Sequence, residues 1–202
     1  MRARLGKALS QEVIVSKIGT LTVFDGCMAA GKSSLLLSRV LYLRSLGKSV
    51  AVSMHASSHR ERLHAISRAG QQEYALRFKE PIDLLRYTRS VDILAIDEVQ
   101  DLEMDFAPTL AQLLDRGYPI VAAGRDTDFR GEIFPIMAWL QGRATEHTTL
   151  TAVCTTCFGP ATRSQRLVRG EPAPWDSPIR EQGPPLETYE PRCLEHHVVP
   201  RT

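Results

Sequence analysis

Apolar positions along the first three quarters of the chain fall into two rhythms. Short runs rich in β-branched residues recur at "GTLTVF" (19–24), "SVAVSM" (49–54), "VDILAI" (91–96), "PIVAAG" (119–124) and "TTLTAV" (148–153). Within "VDILAI" the residues from Ile93 to Ile96 are continuously apolar, as strands are when a parallel sheet buries both their faces. Between the runs the spacing turns helical. "KSSLLLSRVLYLRSLGK" starts at Lys32 with Gly47 as a stop, "FAPTLAQLLDRGY" is a second helix, and a polar stretch from Glu61 to Arg77 reads weakly as another. Strands alternating with helices at this spacing predict an α/β fold, a parallel sheet with flanking crossover helices. After Val153 the rhythm ends, and six of the twelve prolines fall between Pro172 and Pro191. The expected organisation is an N-terminal extension (1–18), a sheet domain (19–150) and a small C-terminal domain (151–202).

Composition narrows this only a little. With 202 residues, 43% of them hydrophobic, the chain can bury one core and a small satellite. Lys and Arg number 25 against 23 Asp and Glu, a net charge of +2, which argues against holding a nucleic acid polymer through bulk charge. No apolar stretch approaches the roughly 18 residues of a membrane span, and the first residues lack the apolar centre of a signal peptide. A cytoplasmic protein without membrane contact is the expectation. The four cysteines are too few and too unevenly placed for a disulfide scaffold.

Chemistry enters at "GCMAAGKS". Gly26, Cys27, Met28, Ala29, Ala30, Gly31, Lys32 and Ser33 match G-x-x-x-x-G-K-[ST] between a strand and a helix, the setting a phosphate-binding loop needs. Such a loop turns consecutive N–H groups toward phosphate at a helix N-terminus; Lys32 reaches the β- and γ-phosphates and Ser33 can ligate Mg²⁺. The third strand closes on Asp97-Glu98-Val99-Gln100. An acid at the carboxyl end of a buried strand beside such a loop organises magnesium, which assigns Asp97. Glu98 then faces whatever attacks the γ-phosphate and can take its proton. An ATP-dependent phosphoryl transfer is expected, with Mg·ATP on the loop.

Cys154-Thr155-Thr156-Cys157 and Cys193-Leu194-Glu195-His196 form C-x-x-C and C-x-x-H knuckles. Together they can close a tetrahedral Zn²⁺ site of three thiolates and one imidazole, with His197 a rival to His196 whose spacing fits less well. Four protein ligands leave no open position, so the zinc is expected to be structural, pinning both ends of a proline-rich loop.

Taken in order, the phosphate loop, the D-E-x-Q strand end, "SRAG" (67–70), "DTDFRGEIF" (126–134), "AVCTTC" (152–157) and "YEPRCLEHH" (189–197) resemble thymidine kinases of the cellular, zinc-containing type, over nearly the whole chain from Gly19. The resemblance implies a P-loop NTPase-like sheet domain with a zinc-binding lasso domain. It makes Glu98 the base for the nucleoside 5′-hydroxyl, sets Arg60 and Gln100 with the nucleotide, and lines the base pocket with Phe129 and Phe134. The segment between the knuckles would be the lasso closing over thymidine, with Gly183 at close approach and Tyr189 at its end. A homotetramer is implied as well.

This chain also departs from that family. Ser58 stands where Asp is usual two residues before Arg60, Asp101-Leu102 replace an aromatic pair, and Leu194 replaces a basic residue. "REQGPPLETY" (180–189) keeps one glycine of the usual apolar, glycine-ended run. The departures leave the phosphate chemistry alone and bear on nucleoside recognition, so deoxyuridine is expected to be accepted beside thymidine. Two other readings share the loop: a nucleoside-binding regulator without turnover, and a helicase-like ATPase suggested by "IDEVQDL". The second leaves the cysteine knuckles unexplained.

Overall fold

In the computed structural model, residues 18–58, 64–66, 72–179 and 186–201 are described. β1 (Leu21–Gly26) runs through the glycine loop into α1 (Lys32–Ser45) and β2 (Val50–His55). There follow β3 (His64–Ile66), β4 (Gln72–Tyr74), β5 (Leu76–Phe78), α2 (Pro81–Tyr87), β6 (Ile93–Asp97), α3 (Ala107–Asp115), β7 (Ile120–Ala123), α4 (Pro135–Gln141) and β8 (Glu146–Leu150). Six of the strands form one sheet in the order β5-β2-β6-β7-β1-β8, and every pairing in it is parallel.

The period of two along the central strands builds a core on each face. Leu21, Val23, Leu94, Ile96, Ile120 and Ala122 point to one side, where α3 and α4 bring Leu110, Leu113, Ile136 and Leu140. Phe24, Ile93, Ala95, Val121 and Ala123 point to the other, covered by Leu36, Leu37 and Val40 of α1. Strands apolar on both faces must be sandwiched between helices, the physical reason for the continuous runs in the sequence. This arrangement delivers the carboxyl ends of β1, β6 and β7 to one edge, where open α/β sheets place their ligands.

Three expectations change. The stretch from Glu61 to Arg77 is not helical where it is described: β3 and β4 pair antiparallel, and β5 adds a strand beside β2. Tyr74, Leu76 and Phe78 alternate with the strand period, and pairing with β2 overrides the weak helical spacing. The run read as 148–153 is divided: β8 ends the parallel sheet at Leu150, and β9 (Ala152–Val153) pairs antiparallel with β10 (Pro160–Ala161). Between the cysteine knuckles lies more than a loop. β11 (Arg163–Val168) is flanked antiparallel by β12 (Glu171–Pro172) and β13 (Glu187–Arg192). Among the described residues no helix is long and apolar enough to cross a membrane.

Candidate active site and metal centre

The loop from Gly26 to Gly31 is shaped before any ligand arrives. Gly26 takes φ 130°, and a Cβ there would sit 2.1 Å from the Leu150 carbonyl oxygen, so only glycine fits. Ala29 (φ 66°) and Gly31 (φ 93°) are also left-handed, turning the backbone inward. Gly31 caps α1 without a side-chain hydrogen bond, which leaves first-turn N–H groups of the helix for an anion. Lys32 curls over the loop, its Nζ donating to the Cys27 carbonyl at 2.6 Å. Burial pushes its ammonium below the usual range, Arg125 adds to this, and the charges of Glu98 and Asp97 oppose it. A phosphate would supply the counter-charge that burial withholds.

The Ser33 hydroxyl donates to Asp97 Oδ1 at 3.2 Å, so the hydroxyl and carboxylate read as a magnesium pair already meet. The same oxygen accepts the Glu98 N–H at 3.0 Å. Glu98 takes φ 55° at the turn after β6, a left-handed conformation rare for a non-glycine residue that turns its side chain from Asp97 toward the cavity. Its carboxylate accepts from Gln100 Nε2 at 2.6 Å, and Gln100 Oε1 in turn accepts the Arg125 N–H at 2.9 Å. The backbone of Gly124 makes this relay possible, because a Cβ there would come within 2.7 Å of Gln100 Oε1.

Beside Glu98 opens a cavity of about 560 Å³, walled by Met28, Ser58, Glu98, Asp101, Arg125, Phe134 and Ile179 among others. That is room for a small ligand. The Arg125 guanidinium lies 5.6 Å from the ring centre of Phe134 and 5.3 Å from that of Tyr189. Three of the unusual positions in the sequence, Ser58, Asp101 and Leu102, lie in this wall.

Sγ of Cys154, Cys157 and Cys193 and a ring nitrogen of His196 lie within 4.8 Å of one another. Cys157 Sγ is 3.7 Å from Cys193 Sγ, and Cys193 Sγ is 3.1 Å from His196 Nδ1. Two thiolates on a tetrahedral zinc at about 2.3 Å stand roughly 3.8 Å apart, so the sulfur spacing suits that ion. Burial alone would raise the Cys154 thiol; N–H groups of Cys193, Cys157 and Thr156 directed at its sulfur outweigh it and bring the thiol down to about 6. A neighbour already inclined to the thiolate fits a metal ligand. His197 stands elsewhere, its Nε2 2.8 Å from the Phe129 carbonyl oxygen.

The metal cluster abuts the phosphate loop. Cys27 packs with Ala152, Cys154 and Ala161, and its thiol donates to the Ala161 carbonyl at 3.2 Å. The Met28 N–H donates to Ser164 Oγ at 2.9 Å.

Of the residues singled out in the sequence, Lys32, Ser33, Asp97, Glu98 and Gln100 are brought together, and Phe134 lines the cavity. Tyr189 reaches it through Arg125. Phe129 is instead buried, at 1% exposure, under the guanidinium groups of Arg130 and Arg166. Arg60 and Gly183 lie outside the described residues. Sequence reasoning missed Arg125, although its place directly after the fourth apolar run put it at a strand's carboxyl end. It also missed Asp25, wholly buried before the loop, whose Oδ2 accepts from Gln141 Nε2 at 2.7 Å and lies 2.5 Å from His147 Nε2. Ser164 carried no signal, since β11 was not read as a strand.

Residues 19–197 match the family described as thymidine kinase. A thymidine kinase of Coprothermobacter proteolyticus is 35% identical over 93% of this chain and 94% of its own length. One from Deinococcus deserti is 39% identical over 91% of this chain and 96% of its own. Among solved structures, a replication initiator DnaA bound to AMPPCP and single-stranded DNA aligns with 68% of this chain and 42% of its own, at 15% identity and a TM-score of 0.40.

Proposed function

The chain belongs to the thymidine kinase family, and on that premise we propose how its residues transfer the γ-phosphate of ATP to the 5′-hydroxyl of thymidine, giving dTMP and ADP. The triphosphate lies along the N–H groups from Gly26 to Ser33, with Lys32 swinging from the Cys27 carbonyl onto the transferring group. Ser33 and Asp97 would hold magnesium, which supplies charge neutralisation to the phosphates. Thymidine occupies the cavity against Phe134 and Arg125. Its 5′-hydroxyl points at Glu98, which takes the proton as the oxygen attacks phosphorus and the bond to ADP breaks. The carboxylate is held ready because Gln100 fixes one of its oxygens, the observation that carries this assignment. Arg60 with the nucleotide, and Gly183 and Tyr189 with the base, complete the reading, while Phe129, buried under Arg130 and Arg166, is left out of the base pocket.

The Cys154, Cys157, Cys193 and His196 site holds a structural zinc in this reading. Ser58, Asp101 and Leu102 in the cavity wall support a substrate range that includes deoxyuridine. Self-assembly, with a tetramer as the family resemblance implies, would use the exposed Leu41 and Tyr42 of α1 and Leu46 just after it. The chain acts in the cytoplasm. Purified protein with Mg·ATP and a nucleoside panel tests the core of this: dTMP and ADP in equal amounts are expected from thymidine, and ATP consumption without any nucleoside monophosphate would overturn it.

A further inference from the structure

The three-stranded antiparallel sheet turns one face toward the cavity and the loop beside it. Ser164 and Arg166 are two residues apart on β11 and so share a face, and Tyr189 and Glu187 share the corresponding face of β13, with Tyr189 directly opposite Arg166. Three members of this face have targets in or around the site. Ser164 holds the Met28 N–H of the phosphate loop, Tyr189 lies under Arg125, and Arg166 lies over the ring of Phe129 at 5.2 Å.

Arg166 is the unusual member. It is a guanidinium only 2% exposed, in a part of the molecule with little apolar core. Its Nη2 donates to the Glu187 carboxylate, itself 5% exposed. Its Nη1 donates to the Pro178 carbonyl. One planar fork therefore ties together two points nine residues apart, Pro178 and Glu187, each within two residues of one that faces the site. Pro178 precedes Ile179, which lines the cavity; Glu187 lies two residues before Tyr189, which reaches the cavity through Arg125. Burying a charged pair gives little net stability compared with apolar residues of the same size. A bidentate fork does fix direction and spacing, which a lysine cannot copy.

We propose that Arg166 is a positioning residue for nucleoside binding: by holding the Pro178 carbonyl and the Glu187 carboxylate on one guanidinium, it sets Ile179 and Tyr189 against the cavity. Arg166 touches neither reacting atoms nor phosphates. Its removal acts on the occupancy of the cavity and leaves the phosphate loop as it is. The effect belongs to uniform binding and so to KM for the nucleoside, with kcat spared.

This inference rests on the kinase reading above, and the experiment separates the two. The wild-type protein is first shown to turn over thymidine; if it does not, the kinase reading fails. Arg166→Met and Arg166→Lys are then assayed against thymidine at saturating ATP and against ATP at saturating thymidine, with zinc content measured on the same samples. Arg166→Met is expected to raise KM for thymidine about tenfold or more while KM for ATP and kcat stay within about threefold and zinc is retained. Arg166→Lys, which keeps the charge but reaches only one of the two acceptors, should fall between. If Arg166→Met does not fold, the lysine variant decides: an elevated KM for thymidine alone supports the proposal. An unchanged KM for thymidine in a folded variant overturns it. So does a rise in both KM values accompanied by zinc loss, since that is the mark of general loosening.

Discussion

The parallel sheet and the antiparallel sheet meet at the phosphate loop but are held together by different physics. The first carries apolar side chains on both faces, from Leu21 and Leu94 on one side to Phe24 and Val121 on the other, each layer closed by helices. In the second, the buried positions of β11 are Ser164, Gln165 and Arg166, and the nearby apolar cluster consists of cysteines and alanines. Gln165 even replaces a strand partner, its amide donating to the Val198 carbonyl and accepting the Val198 N–H, both at 2.8 Å. A segment with so little apolar area to bury needs a cross-link to stay folded, and a zinc ion held by the three cysteines and His196 would provide one. One half can fold on the hydrophobic effect; the other, with a zinc ion in the cysteine cluster as proposed above, would borrow metal-binding energy and the surface of its neighbour.

Metal removal should break the comparison most sharply. Structural zinc in small domains is worth about 10–16 kcal/mol of apparent binding energy at neutral pH, more than the stability of most domains. Chelation is expected to leave the amides of β1, β6 and β7 protected from hydrogen exchange while those of β11 and β13 exchange freely. Turnover should be lost with them, because the Met28 N–H loses Ser164. Simultaneous loss of protection in both sheets would show that they are a single cooperative unit.

A second test lies where the halves meet. Lys32→Ala removes the cation that would face the transferring phosphate, and roughly 10²–10³-fold in kcat is the usual cost of deleting one such group. Zinc content and the melting transition should barely move, since the Lys32 ammonium donates within its own loop, to the Cys27 carbonyl. Near-normal kcat in a well-folded variant would remove Lys32 from the chemistry.

The same difference explains what the sequence disclosed. In the parallel half, strand identity is written in runs such as Ile93 to Ile96, and the loop motif is contiguous from Gly26 to Ser33, so both are readable in one dimension. The cysteine knuckles are also local, and needed only their spacing. Arg166 and Ser164 could not be found this way. Their importance depends on which face of a short, polar strand they occupy, and "RSQRLV" has no apolar alternation to reveal a face. β5 was misjudged for a related reason: its extended form follows from pairing with β2 rather than from its own residues. Phe129 illustrates the limit of motif reasoning from the other side. The motif places it near the site, but its ring is covered by Arg130 and Arg166.

A smaller perturbation confined to the apolar half sharpens the contrast. Leu110 of α3 is fully buried in the first core, and Leu110→Ala should cost about 2–5 kcal/mol through lost transfer energy and the cavity left behind. Urea unfolding followed by a probe on the parallel sheet should report the loss, and zinc stoichiometry should remain unchanged. Zinc release from the folded variant would mean that packing of α3 is transmitted to the cysteine cluster.

The smallest expected effect concerns the far edge of the same sheet. The Tyr118 hydroxyl donates to the Val91 carbonyl at 2.6 Å. Burial, with the Asp92 charge adding to it, pushes the phenol from its usual 10.0 up to about 12. Below about pH 10 the phenol is protonated in both the folded and the unfolded chain and contributes no pH dependence. As pH rises from there toward 12, the unfolded chain ionises while the folded one holds its proton, so stability drains away through that window. Tyr118→Phe loses the hydrogen bond and should cost about 1 kcal/mol near neutral pH. It also loses the titrating group, so its urea midpoint should fall less than that of the wild type between pH 8 and about pH 11, and the gap between the two proteins should narrow. Parallel curves across that range would show that the Tyr118 phenol is no better protected from ionisation in the fold than in the unfolded chain.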